Sequence, residues 1–184
     1  MIKAYHNCTL ETAELIKADG MIRSNAELQN RGIDQCRITG LSTEDIRFVF
    51  LYSECFQHSK DRSAYRNREK RNDTFVAFVF DAIRLIKTYN AFVGKDIIHL
   101  DYFAGLIPNI RQRELAQAEI RKNNRWRDEA ALNQLRKGMA NPTEDGFIEI
   151  LVPQAIPLTD CLGIVNANTG EILQGMFHNP DTLQ

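Results

Sequence analysis

The sequence predicts an α+β fold in which short, mainly antiparallel strands are interrupted by inserted helices. Three observations favour this fold class. Two runs of aromatic and β-branched residues, "DIRFVFLYS" and "DTFVAFVFD", are bounded by polar breaks, as strands are. Residues 109–140 have the composition and spacing of helices. The stretch "EDGFIEILVPQAIPL" after them has the apolar character of a buried strand that stops at a proline.

The composition is that of an ordinary soluble globular protein, with 43% hydrophobic and 26% charged residues. A chain of 184 residues is long enough to bury one substantial core. We therefore expect a single domain over residues 1–184, with a helical insertion at about 109–140.

The charge and the cysteines exclude several classes of protein. A net charge of -1 gives no global attraction to nucleic acid. The four cysteines lack CxxC spacing, and the four histidines do not complete a zinc pattern with them, so no metal site is expected. The N-terminus lacks the apolar region of a signal peptide, and the apolar runs are too short to span a bilayer. These observations predict a cytoplasmic protein with reduced thiols and no membrane partner.

The N-terminal residues predict a strand followed by a capped helix. The strand covers about Ile2 to Asn7, and Thr9 is placed to cap a helix that ends at Asp19-Gly20. Residues 24–45 are polar and predict a long loop or short helical pieces.

The later elements leave several alternatives open. "AIRLIKTYNAFV" is a short helix or a continuation of the preceding strand, and "DIIHLDYF" is a strand or an irregular connector. From Asn109 to Ala140 two helices are expected, "RQRELAQAEIRKNN" and "RWRDEAALNQLRKGMA", the second ending at Gly138 or at Asn141-Pro142. "CLGIVN" and "GEILQGMF" form a hairpin or two separated strands.

Glu149 interrupts the apolar run of its predicted strand. Because strand side chains alternate, Glu149 shares a face with Phe147 and Leu151, while the isoleucines beside it face the other way. A buried carboxylate is costly unless it is paired or hydrogen-bonded. Glu149 is thus part of an internal ion pair, lies on an edge strand, or is a catalytic acid in a cleft.

Two blocks of the sequence resemble the ADP-ribosyltransferases, most closely the DarT-like toxins that ADP-ribosylate nucleic acid. "AYHNCTLETAELIKADGMIRS" is similar to that family's opening, in which a strand ends in Tyr-His and a helix and a glycine follow. "FIEILVPQAIPL" is similar to the strand that carries the family's catalytic glutamate. "RFVFLYSE" lies where the family has its second conserved strand.

The resemblance implies a split pair of small, mainly antiparallel sheets around a cleft that holds NAD as co-substrate. It further implies a mono-ADP-ribosyltransferase that modifies a base in single-stranded DNA or in RNA, as a bacterial toxin or phage-defence effector. Its catalytic residue would be Glu149, which would hold a ribose hydroxyl and offset positive charge as nicotinamide leaves. A toxin of this kind implies an antitoxin, either a binding protein or an ADP-ribose hydrolase.

The resemblance also implies which residues bind the cofactor. His6 would hydrogen-bond the adenosine-side ribose, and its alternative is a structural histidine. Asn7 and Thr9 lie in the same turn, although Thr9 is also placed to cap the helix. Tyr52 would stack on nicotinamide or is an ordinary half-buried aromatic residue. A diphosphate-binding arginine is expected after the first helix, where two candidates lie, Arg31 and Arg37.

Two basic stretches suggest a nucleic-acid surface. Residues 60–72 carry six basic and two acidic residues, and residues 109–140 carry eight basic and four acidic ones. Such segregation in a near-neutral protein suggests a phosphate-backbone footprint, and aromatic residues within it are placed to stack on bases. The predicted contacts are Arg62, Arg66, Arg68, Arg125, Trp126 and Arg127. The alternative is a solvated helical surface with Trp126 packed inward.

Two other functions are open on the sequence alone. One is an ADP-ribosyltransferase whose target is a protein side chain. The other is a non-catalytic nucleic-acid-binding protein of the same fold, in which Glu149 is only structural.

Overall fold

The structure is a computed structural model of the chain. It describes residues 1–33, 45–53, 75–96, 112, 123–140, 147–167 and 169–174.

The first strand leads directly into the first helix. Strand β1 spans Lys3–Thr9 and helix α1 spans Leu10–Asp19. The Thr9 hydroxyl accepts a hydrogen bond from the Thr12 amide, which caps the helix start. Gly20 ends the helix with φ of 72°, a conformation that suits glycine. The predicted strand, cap and helix end are confirmed.

The other described helices follow local signals of the same kind. Ser24 and Glu27 form a reciprocal capping box at the start of α2. Asp81 accepts hydrogen bonds from the amides of Ile83 and Arg84, which starts α3 and resolves the open alternative in favour of a helix. The helices are α2 Asn25–Asn30, α3 Ala82–Tyr89 and α4 Asp128–Ala140, with 3-10 turns at Asp45–Arg47 and Leu158–Asp160.

Together with β1, nine later strands among the described residues form two antiparallel sheets. They are β2 Met21–Ile22, β3 Val49–Tyr52, β4 Phe75–Asp81, β5 Phe92–Asp96, β6 Arg125–Trp126, β7 Phe147–Val152, β8 Ile156–Pro157, β9 Gly163–Asn166 and β10 Ile172–Gln174. The larger sheet has the order β10-β9-β4-β1-β3-β7-β5-β6, and β2 pairs with β8. Every described pairing is antiparallel, and β9 and β10 pair with each other, which resolves their open alternative in favour of a hairpin. The predicted fold class is confirmed, with two sheets of unequal size.

The larger sheet is narrowest at its centre. Strands β1 and β4 pair at seven positions, whereas β1 and β3 pair only at Tyr5 and Tyr52. Within the described residues, the sheet therefore consists of two four-stranded halves joined at one residue pair. Beyond that pair no further ladder pair joins β1 to β3 within the described residues, and this break in the ladder is called the crevice below.

The main core lies on one face of the larger sheet. Ile148, Ile150 and Val152 of β7 belong to it, as do residues of α1, α3 and α4. Glu149 and Leu151 are buried but lie outside this core. The face assignment predicted for β7 is thus confirmed where the side chains are described.

One predicted helical segment is wrong in part. Arg125 and Trp126 form strand β6, which pairs with Gly94 and Val93 of β5. The alternation places Trp126 against the main core, and α4 begins only at Asp128. Gly138 does not end this helix, which continues to Ala140.

Gly138 lets α4 approach β7 closely. A Cβ atom at this position would lie 1.9 Å from Ile148 Cδ1 and 2.7 Å from Ile148 Cγ1. Ile148 is 4% exposed, so the core leaves its side chain little room to move. The absent side chain therefore sets the distance between α4 and the strand that carries Glu149.

We expect Gly138→Ala to destabilise the protein by about 1–3 kcal/mol, because overpacking outweighs the better helix propensity of alanine. Urea denaturation would measure this change. Ile148→Val removes the clashing Cδ1 atom. The double variant should therefore lose less free energy of unfolding than the sum of the losses in the two single variants. Asn133→Ala, on the exposed side of α4, is the control and should cost nothing. A gain in stability for Gly138→Ala would contradict the close approach.

Candidate active site

Glu149 lies on an interior strand of the larger sheet and is almost completely buried. Its strand, β7, has β3 on one side and β5 on the other, and Glu149 pairs with Tyr52 and with Gly94. Its exposed fraction is 1%. Since both neighbouring strands are hydrogen-bonded to β7, the edge-strand alternative for Glu149 is wrong.

A row of paired residues crosses the sheet through Glu149. Each residue of the row is the direct partner of the next on the neighbouring strand, and direct partners project from the same face. From β6 to β1 the row reads Arg125, Gly94, Glu149, Tyr52 and Tyr5. The pairing thus places one carboxylate between two phenol rings on one side and a glycine followed by an arginine on the other.

His6 closes the crevice next to this row. Its Nδ1 atom lies 2.9 Å from the carbonyl oxygen of Phe50, which belongs to β3. A carbonyl oxygen accepts hydrogen bonds, so Nδ1 carries the proton and donates it. A side chain thus connects β1 to β3 just beyond the Tyr5 and Tyr52 pair.

The surroundings of His6 favour its neutral form. Burial lowers the pKa of the imidazole from its ordinary value of 6.5, and the hydrogen bond to Phe50 opposes this shift. With Nδ1 protonated and the ring neutral, Nε2 has a free lone pair. This atom is therefore a hydrogen-bond acceptor suited to a hydroxyl group.

Three structures of a protein from Thermus sp. 2.9 are similar to this chain. DarT in complex with carba-NAD+ matches with a TM-score of 0.58 at 13% identity, covering 90% of this chain and 82% of that one. DarT in complex with NAD+ matches with a TM-score of 0.54 at 13% identity, covering 90% of this chain and 81% of that one. DarT in complex with ADP-ribosylated ssDNA matches with a TM-score of 0.51 at 15% identity, covering 90% of this chain and 81% of that one. No protein-family model matches the sequence, and no curated protein sequence is similar to it.

The chain has the DarT fold. At 13–15% identity the likeness concerns the course of the backbone over nine tenths of the chain. The predicted site residues can therefore be described by their positions on the strands of this sheet.

The first DarT-fold strand carries three of the predicted cofactor residues. His6 bridges β1 and β3 at the crevice, and Asn7 follows it on the opposite face of β1, the face of Tyr5, with a buried Oδ1 atom that accepts no hydrogen bond within the described residues. The hydroxyl of Thr9 caps α1. Tyr52 is half-buried and directly opposite Glu149. The strand pairing thus brings Tyr52 beside Glu149 and His6 to the adjoining crevice.

Only one of the two candidate diphosphate arginines lies within the described residues. Arg31 follows α2, is about half exposed, and places Nη1 3.0 Å from Asp19 Oδ1. Asp19 also accepts a hydrogen bond of 2.6 Å from Arg23 Nε. The two arginines lower the pKa of Asp19, mainly through the Arg23 hydrogen bond. Arg37 lies outside the described residues.

The predicted nucleic-acid contacts separate into three groups. Arg62, Arg66 and Arg68 lie outside the described residues. Trp126 is half-buried and packs against the main core, as the inward alternative expected. The two arginines on either side of it, Arg125 and Arg127, contact phenylalanine rings.

Four residues of this region were not selected from the sequence. Tyr5 and Gly94 belong to the row through Glu149, and Phe48 and Phe92 are the rings below the arginines. The alternation in "FVG" is a strand signal that would have placed Phe92 and Gly94 on one face of their strand, and the alternation in "RWR" would have placed the two arginines on one face of theirs. The partners across the sheet are not visible in the sequence.

The described residues include no group of three or more His, Cys, Asp or Glu side chains placed to hold a metal ion. Nor does any helix in those parts of the chain have the length and apolar character needed to cross a bilayer.

The lowered pKa of His6 predicts how stability depends on pH. The unfolded chain binds a proton near pH 6.5, whereas the folded protein binds it only at lower pH, so stability falls as pH decreases below 6.5 toward the folded pKa. His6→Asn keeps an N–H donor without titrating. Urea denaturation between about pH 5 and pH 8 should therefore show a smaller loss of stability on acidification in His6→Asn. Identical pH profiles would contradict burial of a neutral imidazole.

Proposed function

We propose that the protein is an NAD-dependent ADP-ribosyltransferase that modifies a base in single-stranded nucleic acid. The observation that carries this proposal is the buried carboxylate of Glu149, paired with Tyr52 on interior strands of a DarT-fold sheet. A structural glutamate needs no such neighbours. A buried carboxylate can stabilise the positive charge that transfer from NAD develops at the ribose, and an aromatic ring beside it can stack on nicotinamide.

The residues at the crevice fit NAD. The buried Oδ1 atom of Asn7 accepts no hydrogen bond within the described residues, and Nε2 of a neutral His6 is a second acceptor. Hydroxyls and an amide of the cofactor are donors of the kind these two atoms require. Tyr52 offers an aromatic ring on the same face as Glu149. His6, Asn7 and Tyr52 would therefore hold the cofactor, and Thr9 and one of the arginines, Arg31 or Arg37, remain predicted contacts.

Glu149 would act by electrostatic stabilisation. NAD supplies an ADP-ribosyl group, and its transfer develops positive charge at the ribose carbon. A carboxylate that is 1% exposed interacts with such charge more strongly than one in water. Glu149 would also orient a ribose hydroxyl and accept a proton from the attacking group of the acceptor.

The choice of nucleic acid as acceptor is supported by one structural neighbour and by local charge. A DarT structure contains ADP-ribosylated ssDNA. The sequence concentrates basic residues at 60–72 and 109–140. Single-stranded DNA is thus the favoured acceptor, and RNA or a protein side chain would be distinguished by experiment. As a modifier of nucleic acid, the protein would be a toxin or phage-defence effector neutralised by a binding protein or an ADP-ribose hydrolase.

The acceptor test uses NAD labelled in its ADP-ribose part and separate pools of single-stranded DNA, duplex DNA, RNA and protein. We expect label to enter single-stranded DNA, because an unpaired base is accessible without the cost of opening a duplex. Label in protein alone would contradict the nucleic-acid acceptor. If calorimetry detects no NAD binding at millimolar cofactor, the protein is not a transferase.

We expect Glu149→Gln to reduce label transfer at least about 100-fold with little change in the free energy of unfolding. Glutamine keeps the shape of the side chain and removes its charge. Label transfer and urea denaturation would be measured on the same preparation. Glu129→Gln is the matched control, since the Glu129 side chain is 73% exposed on α4.

The alternative role of Glu149 gives the opposite result. A carboxylate kept for an internal ion pair would cost about 3–5 kcal/mol of stability when neutralised, with transfer unaffected. Full label transfer by Glu149→Gln would exclude catalysis by this residue.

A further inference from the structure

A stack of two arginines and two phenylalanines lies on the same sheet face as Glu149. The Arg125 guanidinium lies 5.1 Å from the centre of the Phe48 ring, and the Arg127 guanidinium lies 4.0 Å from the centre of the Phe92 ring. The two rings meet edge to face, with centres 5.6 Å apart and an angle of 86° between their planes. Arg125, Phe48, Phe92 and Arg127 are called the cation-ring stack below.

The strand register fixes where this stack lies relative to the acid. Gly94 pairs with Glu149 on one side and with Arg125 on the other. Phe92 is two residues from Gly94 on β5, so it projects from the same face about 7 Å further along the strand. The stack therefore begins one glycine away from Glu149, on the side opposite Tyr52 and Tyr5.

Arg127 is the outermost member of the stack and is exposed. Its guanidinium forms no ion pair within the described residues, so its charge is not neutralised by a neighbouring carboxylate there. The ring of Phe92 holds the guanidinium in place, which reduces the entropy lost when a ligand binds. A planar cation fixed in this way can stack on a base and donate hydrogen bonds to a phosphate.

We propose that the cation-ring stack is the subsite for the nucleotide that flanks the modified one in a single-stranded nucleic acid. The flanking base would stack on the Arg127 guanidinium above Phe92, and its phosphate would accept hydrogen bonds from the same group. Arg125, one glycine away from Glu149, would bind the phosphate that connects the two nucleotides. The inference rests on the proposed function for the identity of the ligand, but its test requires no catalysis.

The first test measures binding of a fluorescent single-stranded DNA oligonucleotide by anisotropy, without NAD, over a series of salt concentrations. Arg127→Ala should weaken binding about 5- to 100-fold, the size of one lost stacking contact. Its plot of log affinity against log salt should also be shallower by about one phosphate contact. Arg127→Lys keeps the charge and loses the planar group, so it should keep the salt slope while losing most of the stacking contribution.

Arg136→Ala is the matched control. Arg136 is also an exposed arginine, on α4, with its side chain 58% exposed and Nη1 3.7 Å from Glu129 Oε1. Its removal changes the net charge equally but should barely alter binding. Equal affinities for Arg127→Ala and Arg136→Ala would overturn the proposal, and so would a wild-type protein that binds no oligonucleotide.

The second test removes one base at a time from the oligonucleotide. The wild-type protein should lose affinity when the flanking position is abasic, and Arg127→Ala should lose nothing more at that position, because the stacking partner is already absent. Additive losses would show that the base stacks elsewhere and would overturn the proposal. Failure of the proposed function would look different, since oligonucleotide binding would persist without any transfer of label from NAD.

Discussion

The joint between β1 and β3 is the constraint on which the rest of the structure depends. Only Tyr5 and Tyr52 pair across it, and just beyond them the His6 imidazole donates to the Phe50 carbonyl. A buried carbonyl left without a donor would cost about 1–3 kcal/mol, so the imidazole has a structural reason to be there. The same hydrogen bond fixes its tautomer and directs Nε2 away from Phe50. One side chain thus holds the halves of the sheet together and presents an acceptor at the crevice between them.

Two neighbours fix the position of Glu149. One is Tyr52 at the joint, and the other is helix α4, which packs on the opposite face of β7. Tyr52, at the joint, is its direct partner on β3. Behind β7, Ile148 and Ile150 lie in the main core, and Gly138 lets α4 contact Ile148 closely. A functional group on a strand that is paired on both sides and packed from behind has little freedom to move. The backbone therefore fixes the carboxylate before any ligand is present.

The parts of this architecture that were predictable from the sequence depend on local signals. The cap at Thr9, the stop at Asp19-Gly20 and the alternation around Glu149 each need only a few adjacent residues, and each is confirmed. The neighbours of "RWR" favour a helix and so predict a helix for this segment, although its alternation of charged and aromatic residues suits the strand that it forms. Strand register is different in kind, because it is decided by tertiary packing between distant segments. No local pattern connects Gly94 to Glu149, so the row and the cation-ring stack were not predictable.

The strand register places Gly94 directly beside Glu149. A Cβ atom at this position would lie 3.4 Å from Leu151 Cδ1 and 3.5 Å from the Asn124 carbonyl oxygen, which are ordinary contact distances. An alanine would therefore fit among the described residues, and glycine within a strand costs about 0.5–1 kcal/mol relative to alanine. The glycine places no side chain between Glu149 and Arg125 in the row. The row is thus asymmetric, with two tyrosines on the side of β3 and β1 and a glycine followed by an arginine on the side of the cation-ring stack, so the acid lies between two regions of different chemistry.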